Sequence, residues 1–167
     1  MDRARDELDQ ALTELRELGS GIQPAVLEDR GLGAAVEALA ERAPLPVYVV
    51  TDLPDRRLPE RVELAAYFVV SEALTNVAKY ASATQAWVAV TERNERLVVE
   101  VGDDGVGGAD VAGGTGLRGL SDRLAAVDGR FEVDSKPGHG TTVRAVLPCS
   151  QPTAHLRLGA RVGAPLE

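Results

Sequence analysis

The spacing of apolar positions predicts an amphipathic helix at the start of the chain. Charged residues separate a series of leucines, at Leu8, Leu12, Leu15 and Leu18. A leucine at every third or fourth position predicts a helix over residues 4–18 with a narrow apolar seam. Such a seam favours packing against another helix, and a helix lying on its own domain is the alternative. The Gly-Ser-Gly that follows is predicted to end this helix, and residues 22–30 are predicted to be a connector.

Two further helices and a short strand are predicted in the first half of the chain. A helix over residues 32–42 has its apolar side chains on one side and is stopped by Pro44. A strand of valine and tyrosine follows at residues 47–50. Pro59 then stands at the favoured first-turn position of a long helix over residues 60–81. Because this helix is apolar around most of its circumference, we expect it to be deeply buried.

The second half of the chain is predicted to contain two strand pairs separated by a glycine-rich loop and a helix. Alternating apolar residues predict four strands, at residues 84–92, 96–102, 130–135 and 141–147. The loop covers residues 103–116 and leads into a helix over residues 117–128 that ends at Gly129. The segment after Pro148 has no periodicity and is predicted to be irregular.

This order of elements predicts an α+β fold. Strand pairs joined by short turns favour a mixed, mostly antiparallel sheet with helices on one face, which is a two-layer α/β sandwich. The strict strand–helix alternation of a doubly wound fold is missing from the pattern. We expect a helix and linker over residues 1–21, one domain over residues 22–148 and a tail over residues 149–167.

Composition narrows the partners and the setting of the chain. A formal net charge of −8 disfavours nucleic acid and anionic membranes, although local dipoles and a metal ion can still hold a nucleotide. The single cysteine, Cys149, cannot form an internal disulfide, and a reducing, cytoplasmic setting is expected. The sequence contains no apolar run of the ~18 residues that span a bilayer, so direct membrane contact is not expected.

The long helix carries a stripe that changes from apolar to polar. Glu72, Asn76 and Lys79 continue the face of Phe68 and Val69. Burying these polar groups without partners is costly. A hydrated metal–phosphate group would satisfy them, with Asn76 on Mg²⁺, Lys79 on a phosphate oxygen and Glu72 on water or a transferring proton. The alternative is a stripe that reaches the surface as an ordinary solvated face.

The loop after residue 102 is suited to a flat ligand. Gly105 and Gly107 allow the backbone to turn tightly and to approach such a ligand. Asp103 can accept a hydrogen bond from an exocyclic amine such as that of adenine, whereas a carboxylate is a poor phosphate contact. We therefore expect this loop to hold a base, with a simple Asp-Gly hairpin turn as the alternative.

A second glycine-rich stretch, from Gly113 to Gly119, enters the next predicted helix. The first amides of a helix lack internal partners and lie at the positive end of its dipole, which favours phosphate. The glycines also provide hinges for a closing lid, and a flexible surface loop is the alternative. Farther on, Thr142 follows a glycine-rich turn. Its hydroxyl is expected to bind adenine directly or through water, with a plain hairpin as the alternative.

Four segments in this order resemble the motifs of an ATPase superfamily that includes histidine kinases, the large heat-shock chaperone, type II topoisomerases and mismatch-repair MutL. Residues 71–81 resemble the N box, 103–107 the G1 box, 114–119 the G2 box and 138–142 the G3 box. The chain is most similar to sensor histidine kinases related to the nitrate and membrane-fluidity sensors. This resemblance covers residues 60–148 and, more loosely, residues from about 8 to about 50. It implies the Bergerat ATP-binding fold, with ATP and Mg²⁺ as ligands.

The resemblance also implies a role for each motif residue. It implies that Asn76 binds Mg²⁺, that Lys79 contacts phosphate and that Glu72 helps to activate the acceptor. Asp103 would hold the adenine amine. The lid over the phosphates would be formed by Gly114, Thr115, Gly116, Leu117 and Gly119, and the base-binding loop by Gly105 and Gly107 beside Asp103.

Two positions depart from the pattern of the family. Tyr80 stands at a phosphate-contacting position where histidine is usual, and Asp104 stands where asparagine is frequent. The change at Tyr80 keeps open a catalytically silent nucleotide-binding module. A second alternative is an anti-sigma-factor kinase, which shares the fold, phosphorylates serine on a partner and needs no histidine domain.

A kinase of this type transfers phosphate to a histidine on a dimerisation domain, for relay to a response regulator. The histidines here are His139, between two glycines, and His155, in the tail, and neither lies on a predicted dimerisation helix. Residues 1–18 resemble the end of the second dimerisation helix. We therefore expect a catalytic domain without its acceptor, a monomer or weak dimer that binds ATP but autophosphorylates poorly.

Overall fold

The computed structural model describes residues 24–109 and 115–149, apart from the side chain of Thr115. The helices are α1 (Ala25–Glu41), α2 (Glu60–Asn76), which continues as a π-helical turn over Val77–Ala81, and α3 (Thr115–Ala125). The strands are β1 (Val47–Asp52), β2 (Ala86–Arg93), β3 (Arg96–Asp103), β4 (Arg130–Asp134) and β5 (Thr141–Pro148). The predicted N-terminal helix with its leucine seam lies outside the described residues, as does the predicted irregular segment after Cys149.

The five strands form one mixed sheet in the order β1-β2-β3-β5-β4. β1 lies parallel to β2, and every other neighbouring pair is antiparallel. Asn94 and Glu95 join β2 to β3 with left-handed φ angles of 51° and 58°. Such a turn matches the twist of a two-residue hairpin. The predicted hairpin and the predicted mixed, mostly antiparallel sheet are both confirmed.

One face of the sheet is covered by the helices and the other is open. On the central strands, Val88, Val99 and Ala145 are at most 1% exposed and lie on the covered face, here called the inner face. Their neighbours along the strands, such as Trp87 and Arg144, lie on the outer face. Helices α1 and α2 pack against each other, and α2 contacts β3 and β5. The fold is the predicted two-layer α/β sandwich.

Helix α2 lies at the centre of the core. Val62, Ala66 and Val69 on this helix are at most 1% exposed. The Pro59 carbonyl accepts the Val62 amide at 2.8 Å, so proline starts the helix as its N-cap residue, one position before the predicted first turn. The prediction of a deeply buried helix after Pro59 is confirmed. None of the helices in the described part of the chain is long and apolar enough to cross a membrane.

The prediction of a connector over residues 22–30 is wrong from Ala25 onward, because α1 begins there. Leu27 in this first part of α1 is fully buried against the core. Gly31, with φ 80° and ψ −179°, interrupts the helix and produces a kink. The break that the sequence placed before residue 32 therefore exists inside a longer helix.

Arg57 holds the turn that precedes this kink. Its guanidinium donates to the carbonyl oxygens of Leu27 at 2.9 Å and Glu28 at 3.0 Å. It also pairs with the buried carboxylate of Glu63 at 2.6 Å. The hydrogen bond and the charge of Glu63 raise the pKa of Arg57 above its usual range, although desolvation acts in the opposite direction. These contacts fasten α1 to the first turn of α2.

Helix α3 is shorter at its C-terminus than the predicted span of residues 117–128. It begins at Thr115 and ends at Ala125. Beyond it, the Gly129 amide donates to the Leu124 carbonyl at 2.8 Å, and Asp128 has a left-handed φ of 56°. The last predicted turn of this helix is therefore a reversal of the chain toward β4.

Candidate functional site

The polar stripe of α2 ends in a widened π-helical turn. Asn76 is the last α-helical residue, and the wider turn follows as far as Ala81. This turn leaves Lys79 and Tyr80 exposed, with Tyr80 at 67%, and buries Ala81. Turns of this kind are rare and often occur at functional sites. The sequence predicted one continuous helix over residues 60–81, so the widening was not foreseen.

The buried end of this turn lies directly against the loop after β3. The Val106 amide donates to the Ala81 carbonyl at 2.8 Å. A β-carbon on Gly105 would overlap the same carbonyl, so only glycine allows this approach. Gly105 therefore brings the end of α2 and the loop after β3 together.

The loop after β3 is also joined to the turn between β4 and β5. The Gly140 amide donates to the Gly105 carbonyl at 2.9 Å, and the Gly138 amide donates to the Val106 carbonyl at 2.7 Å. Gly107 and Gly140 have left-handed φ angles of 61° and 70°, and a β-carbon on either would overlap a carbonyl oxygen of the opposing loop. Three of the four predicted motifs thus meet at one end of the sheet.

Asp103 is buried at the end of β3, with 4% of its surface exposed. Its Oδ1 atom accepts a hydrogen bond from the Gly105 amide at 2.8 Å. Within the described residues, no hydrogen bond to Oδ2 is found. A buried carboxylate with one oxygen fixed and the other without such a partner is suited to accept a hydrogen bond from a ligand amine.

Asp104, unlike Asp103, binds the segment that precedes β2. Its carboxylate accepts hydrogen bonds from the Thr84 hydroxyl at 2.5 Å, the Thr84 amide at 2.7 Å and the Gln85 amide at 3.1 Å. The Thr84 hydroxyl first, and then the amides, lower the pKa of Asp104. Because these amides are occupied, β2 begins at Ala86 rather than at the predicted residue 84. A carboxylate offers two acceptor oxygens to the three donors, whereas asparagine would offer one.

The start of α3 lies against the polar stripe of α2. A β-carbon on Gly116 would overlap Oε1 of the partly buried Glu72. Farther along α3, the Arg123 guanidinium lies 4.8 Å from the centre of the Phe68 ring, which is a cation–π contact. Glu72 and Phe68 are one turn apart on α2. The two contacts therefore fix the direction of α3 along that stripe.

The other residues predicted for the lid are placed only in part. Gly114 lies outside the described residues, and only the backbone of Thr115 is described. Leu117 is partly buried and packs against the hydrophobic core. A β-carbon on Gly119 would meet nothing within 4 Å. No contact in the described part of the chain therefore requires glycine at that position.

The strand register separates Thr142 from Asp103. Thr142 lies opposite Gly102, and Thr141 lies opposite Asp103. Because side chains alternate between the faces of a strand, Thr141 shares the inner face with Asp103, and Thr142 lies on the outer face. There Thr142 lines a shallow cleft of about 320 Å³ together with His139. The register therefore places Thr141, rather than Thr142, on the face of Asp103, and the expected contact of Thr142 with a base stays a prediction.

Thr141 belongs to a small polar network that the sequence prediction missed. Its hydroxyl lies 2.8 Å from the hydroxyl of Ser135, which accepts the Ala109 amide at 2.9 Å. The signal that would have identified Thr141 is the side-chain alternation along β5, counted from the residue opposite Asp103.

Together these contacts form a strip along one side of the sandwich. Along α2 the order is Glu72, Asn76 and then Ala81, which contacts the loop that follows Asp103. The buried carboxylate of Asp103 lies at one end, and the N-terminal turn of α3 lies beside Glu72 at the other. This arrangement fits a ligand that has an amine-bearing base and an anionic tail.

Comparison with known proteins identifies the family of the chain. Residues 61–151, more than half of the chain, match the family described as histidine kinase-, DNA gyrase B- and HSP90-like ATPase. The sensor histidine kinase MctS of Rhizobium johnstonii is 33% identical over 160 residues, covering 90% of this chain and 34% of that protein. The oxygen sensor histidine kinase NreB of Staphylococcus carnosus is 32% identical over 145 residues, covering 82% of this chain and 42% of that protein. The chain thus spans less than half the length of these relatives.

Solved structures share the architecture. The histidine kinase domain from the Erythrobacter litoralis EL346 blue-light activated histidine kinase superimposes with a TM-score of 0.58 at 27% identity, covering 72% of this chain and 60% of that chain. Full-length ShkA in complex with AMPPNP superimposes with a TM-score of 0.58 at 20% identity, covering 72% of this chain and 29% of that chain. The second likeness concerns the fold alone.

Proposed function

The chain belongs to the histidine kinase-, DNA gyrase B- and HSP90-like ATPase family, as an ATP-binding domain of the sensor histidine kinase type, and we propose that it binds Mg-ATP and phosphorylates a histidine on a dimerisation domain. That histidine would pass the phosphate to a response regulator, in the cytoplasm. The observation that carries the proposal is the convergence of the end of α2, the loop after β3 and the turn between β4 and β5 beside the buried carboxylate of Asp103.

The base would bind at the end of β3. Oδ2 of Asp103 would accept a hydrogen bond from the exocyclic amine of adenine, a position at which guanine and hypoxanthine carry a carbonyl oxygen instead. Gly105 and Gly107 hold this loop close to the Ala81 carbonyl and to the turn between β4 and β5. Thr141, on the same face as Asp103, would supply a hydroxyl directly or through water.

The phosphates would lie toward the start of α3. The first amides of that helix point along its positive end, and Gly116 adds no side chain that would obstruct them. Lys79 and Tyr80 are exposed on the π-helical turn and would donate to phosphate oxygens from the α2 side. The tyrosine hydroxyl can donate one hydrogen bond, so it would replace the histidine that is usual at this position.

The donor set fits Mg²⁺ only together with the nucleotide. Within residues 24–109 and 115–149, no group of three or more His, Cys, Asp or Glu side chains could hold a metal ion. Mg²⁺ commonly binds through one or two protein oxygens plus phosphates and water. Asn76 would provide such an oxygen. Bound there, the ion would neutralise charge on the phosphate oxygens.

Glu72 would assist the transfer itself. A nitrogen of the acceptor imidazole forms a bond to the γ-phosphorus while the bond to ADP breaks, and the imidazole loses a proton. The Glu72 carboxylate is partly buried beside the start of α3, where it would orient the imidazole and accept that proton. The phosphate-binding start of α3 and the proton acceptor Glu72 would thus be adjacent.

The test is transfer of label from radiolabelled ATP to a separately supplied histidine-containing dimerisation domain of the parent system. We expect acid-labile label on that domain, weak label on this chain alone, and loss of both with Asn76→Ala. Acid-stable label on a partner serine would instead support the anti-sigma-factor kinase. ATP binding without any transfer would support the silent module.

A further inference from the structure

β1 is an edge strand of the sheet, and its outward backbone groups have no partner among the described residues. The Ala86 amide donates to the Pro46 carbonyl at 3.0 Å, and the parallel register starts from Val47 opposite Ala86. In a parallel pair this pattern directs the amides and carbonyls of alternate residues, here the even-numbered ones, toward β2. Those of Val47, Val49 and Thr51 therefore point away from the sheet. No described residue hydrogen-bonds to them.

This edge lacks the features that normally prevent strand pairing. Edge strands are usually protected by charged side chains, proline or a bulge. The five residues from Val47 to Thr51 contain no charge and no proline, and their pairing with β2 is continuous. On the outer face, Tyr48 is 63% exposed and Val50 is 62% exposed. By contrast β4, the opposite edge, presents charged side chains at Arg130, Glu132 and Asp134.

We propose that β1 pairs with β1 of a second copy of this chain, antiparallel and centred on Val49, so that the two sheets become one. Registers centred on a residue keep both outer faces on the same side, whereas a shift of one position would place one outer face against the helices. The register centred on Val49 opposes Val49 to itself and Val47 to Thr51 of the second copy. Among the registers centred on a residue, this one pairs the outward amides and carbonyls of Val47, Val49 and Thr51 with those of the second copy.

The side chains favour the same register. It places Tyr48 directly opposite Val50 of the second copy, twice by symmetry, and an aromatic residue opposite a β-branched one is a stabilising cross-strand pair. Trp87, which is 37% exposed and lies beside Tyr48 on β2, extends this apolar surface. A two-fold axis at Val49 would therefore cover both large exposed side chains of β1.

Charge does not oppose this contact locally. The net charge of −8 disfavours self-association over the whole surface. Asp52, the only charged residue of β1, is already paired with Arg93 at 2.8 Å. Because the interface itself is neutral, added salt should screen the general repulsion and strengthen the dimer. A basic partner held by the acidic surface would be weakened by salt instead.

The first test is sedimentation velocity of the full chain over a concentration series. We expect a reversible dimer, strengthened by salt, that Val49→Pro abolishes and Val49→Thr retains. Proline removes an outward amide but none of the hydrogen bonds to β2, and threonine keeps both that amide and the branched side chain. A wild-type chain that stays monomeric at every concentration would overturn the proposal, as would a dimer that survives Val49→Pro.

A cysteine series measures the register without relying on the proline variant. In a Cys149→Ser background, Val49→Cys should form an intermolecular disulfide under mild oxidation, because opposed Cα atoms in a hydrogen-bonded pair lie about 5.5 Å apart. Val47→Cys and Thr51→Cys should cross-link poorly alone but efficiently when mixed with each other. Equal cross-linking at all three positions would indicate parallel pairing and would overturn the proposal, as would no cross-link at 49.

Discussion

Gly116 on α3 lies so close to Glu72 on α2 that a β-carbon on Gly116 would overlap the Glu72 carboxylate. The proposed phosphate-binding start of α3 and the proposed proton acceptor Glu72 are therefore neighbours. The overlapping atom is the end of a flexible side chain, so Gly116→Ala should displace the carboxylate at little cost to the fold.

We predict that Gly116→Ala slows phosphotransfer to a supplied dimerisation domain by about ten- to a hundredfold, because a displaced Glu72 carboxylate is no longer positioned to accept the proton of the acceptor imidazole. The melting temperature should change little. Single-turnover transfer and thermal unfolding of the same preparation measure the two effects. An unchanged transfer rate would mean that Glu72 does not act from this position.

Gly105 provides a second prediction, because the atom that its β-carbon would overlap belongs to the backbone. The Ala81 carbonyl cannot rotate away, so Gly105→Ala should destabilise the fold by about 1–3 kcal/mol. Gly33→Ala is the matched control. Gly33 lies within α1, and a β-carbon there would meet the Leu53 side chain at an ordinary contact distance of 3.8 Å. Gly33→Ala should therefore stabilise the folded protein by about 0.5–1 kcal/mol. Urea unfolding of both variants checks the contrast, which fails if Gly105→Ala is as stable as wild type.

Two adjacent threonines allow a third prediction. Thr141→Val removes a hydroxyl from the face that holds Asp103 and should weaken ATP binding about three- to tenfold, as expected for one hydrogen bond. Thr142→Val changes the outer face and should leave the affinity unchanged. Isothermal titration of both variants with ATP is the measurement. The opposite ranking would place the base on the outer face.

The hydrogen bonds of Asp104 make a prediction about pH. They lower its pKa in the folded protein below the unfolded value of about 3.9. Their contribution to stability is therefore complete well above pH of about 4 and is lost as the pH falls through the folded pKa. The melting temperature of Asp104→Asn should lie below that of wild type near neutral pH, and the gap should narrow in acid. A gap that is constant from about pH 7 to about pH 3 would contradict this.

The sequence was sufficient for the elements whose packing follows from a local period. The β-like runs of the sequence predicted β2, β3 and β5, and Pro59 predicted the start of α2. The first turns of α1 were missed because their support is not local. Leu27 is held by Arg57, which lies 30 positions along the chain.

For the candidate site, the sequence predicted the motif residues but not the strand register or the local helix geometry. The motif residues Asp103 and Gly105 could be identified from their order along the chain, and the structure brings them to the end of α2. Thr141 and Thr142 follow the same glycine turn, so only the pairing of β5 with β3 distinguishes them. The widened turn before Ala81 was missed because it interrupts no apolar period.

Nucleotide affinity of Asp103→Ala, measured against wild type with ATP and with inosine triphosphate, tests the central claim most directly. Thermal unfolding should first show that the variant is folded, and Asn76→Ala, which should bind ATP equally with and without Mg²⁺, reports on the phosphate end. We predict that wild type prefers ATP to inosine triphosphate, and that Asp103→Ala binds ATP about ten- to a hundredfold more weakly and loses this preference. A folded Asp103→Ala variant that binds ATP as tightly and as selectively as wild type would contradict the account.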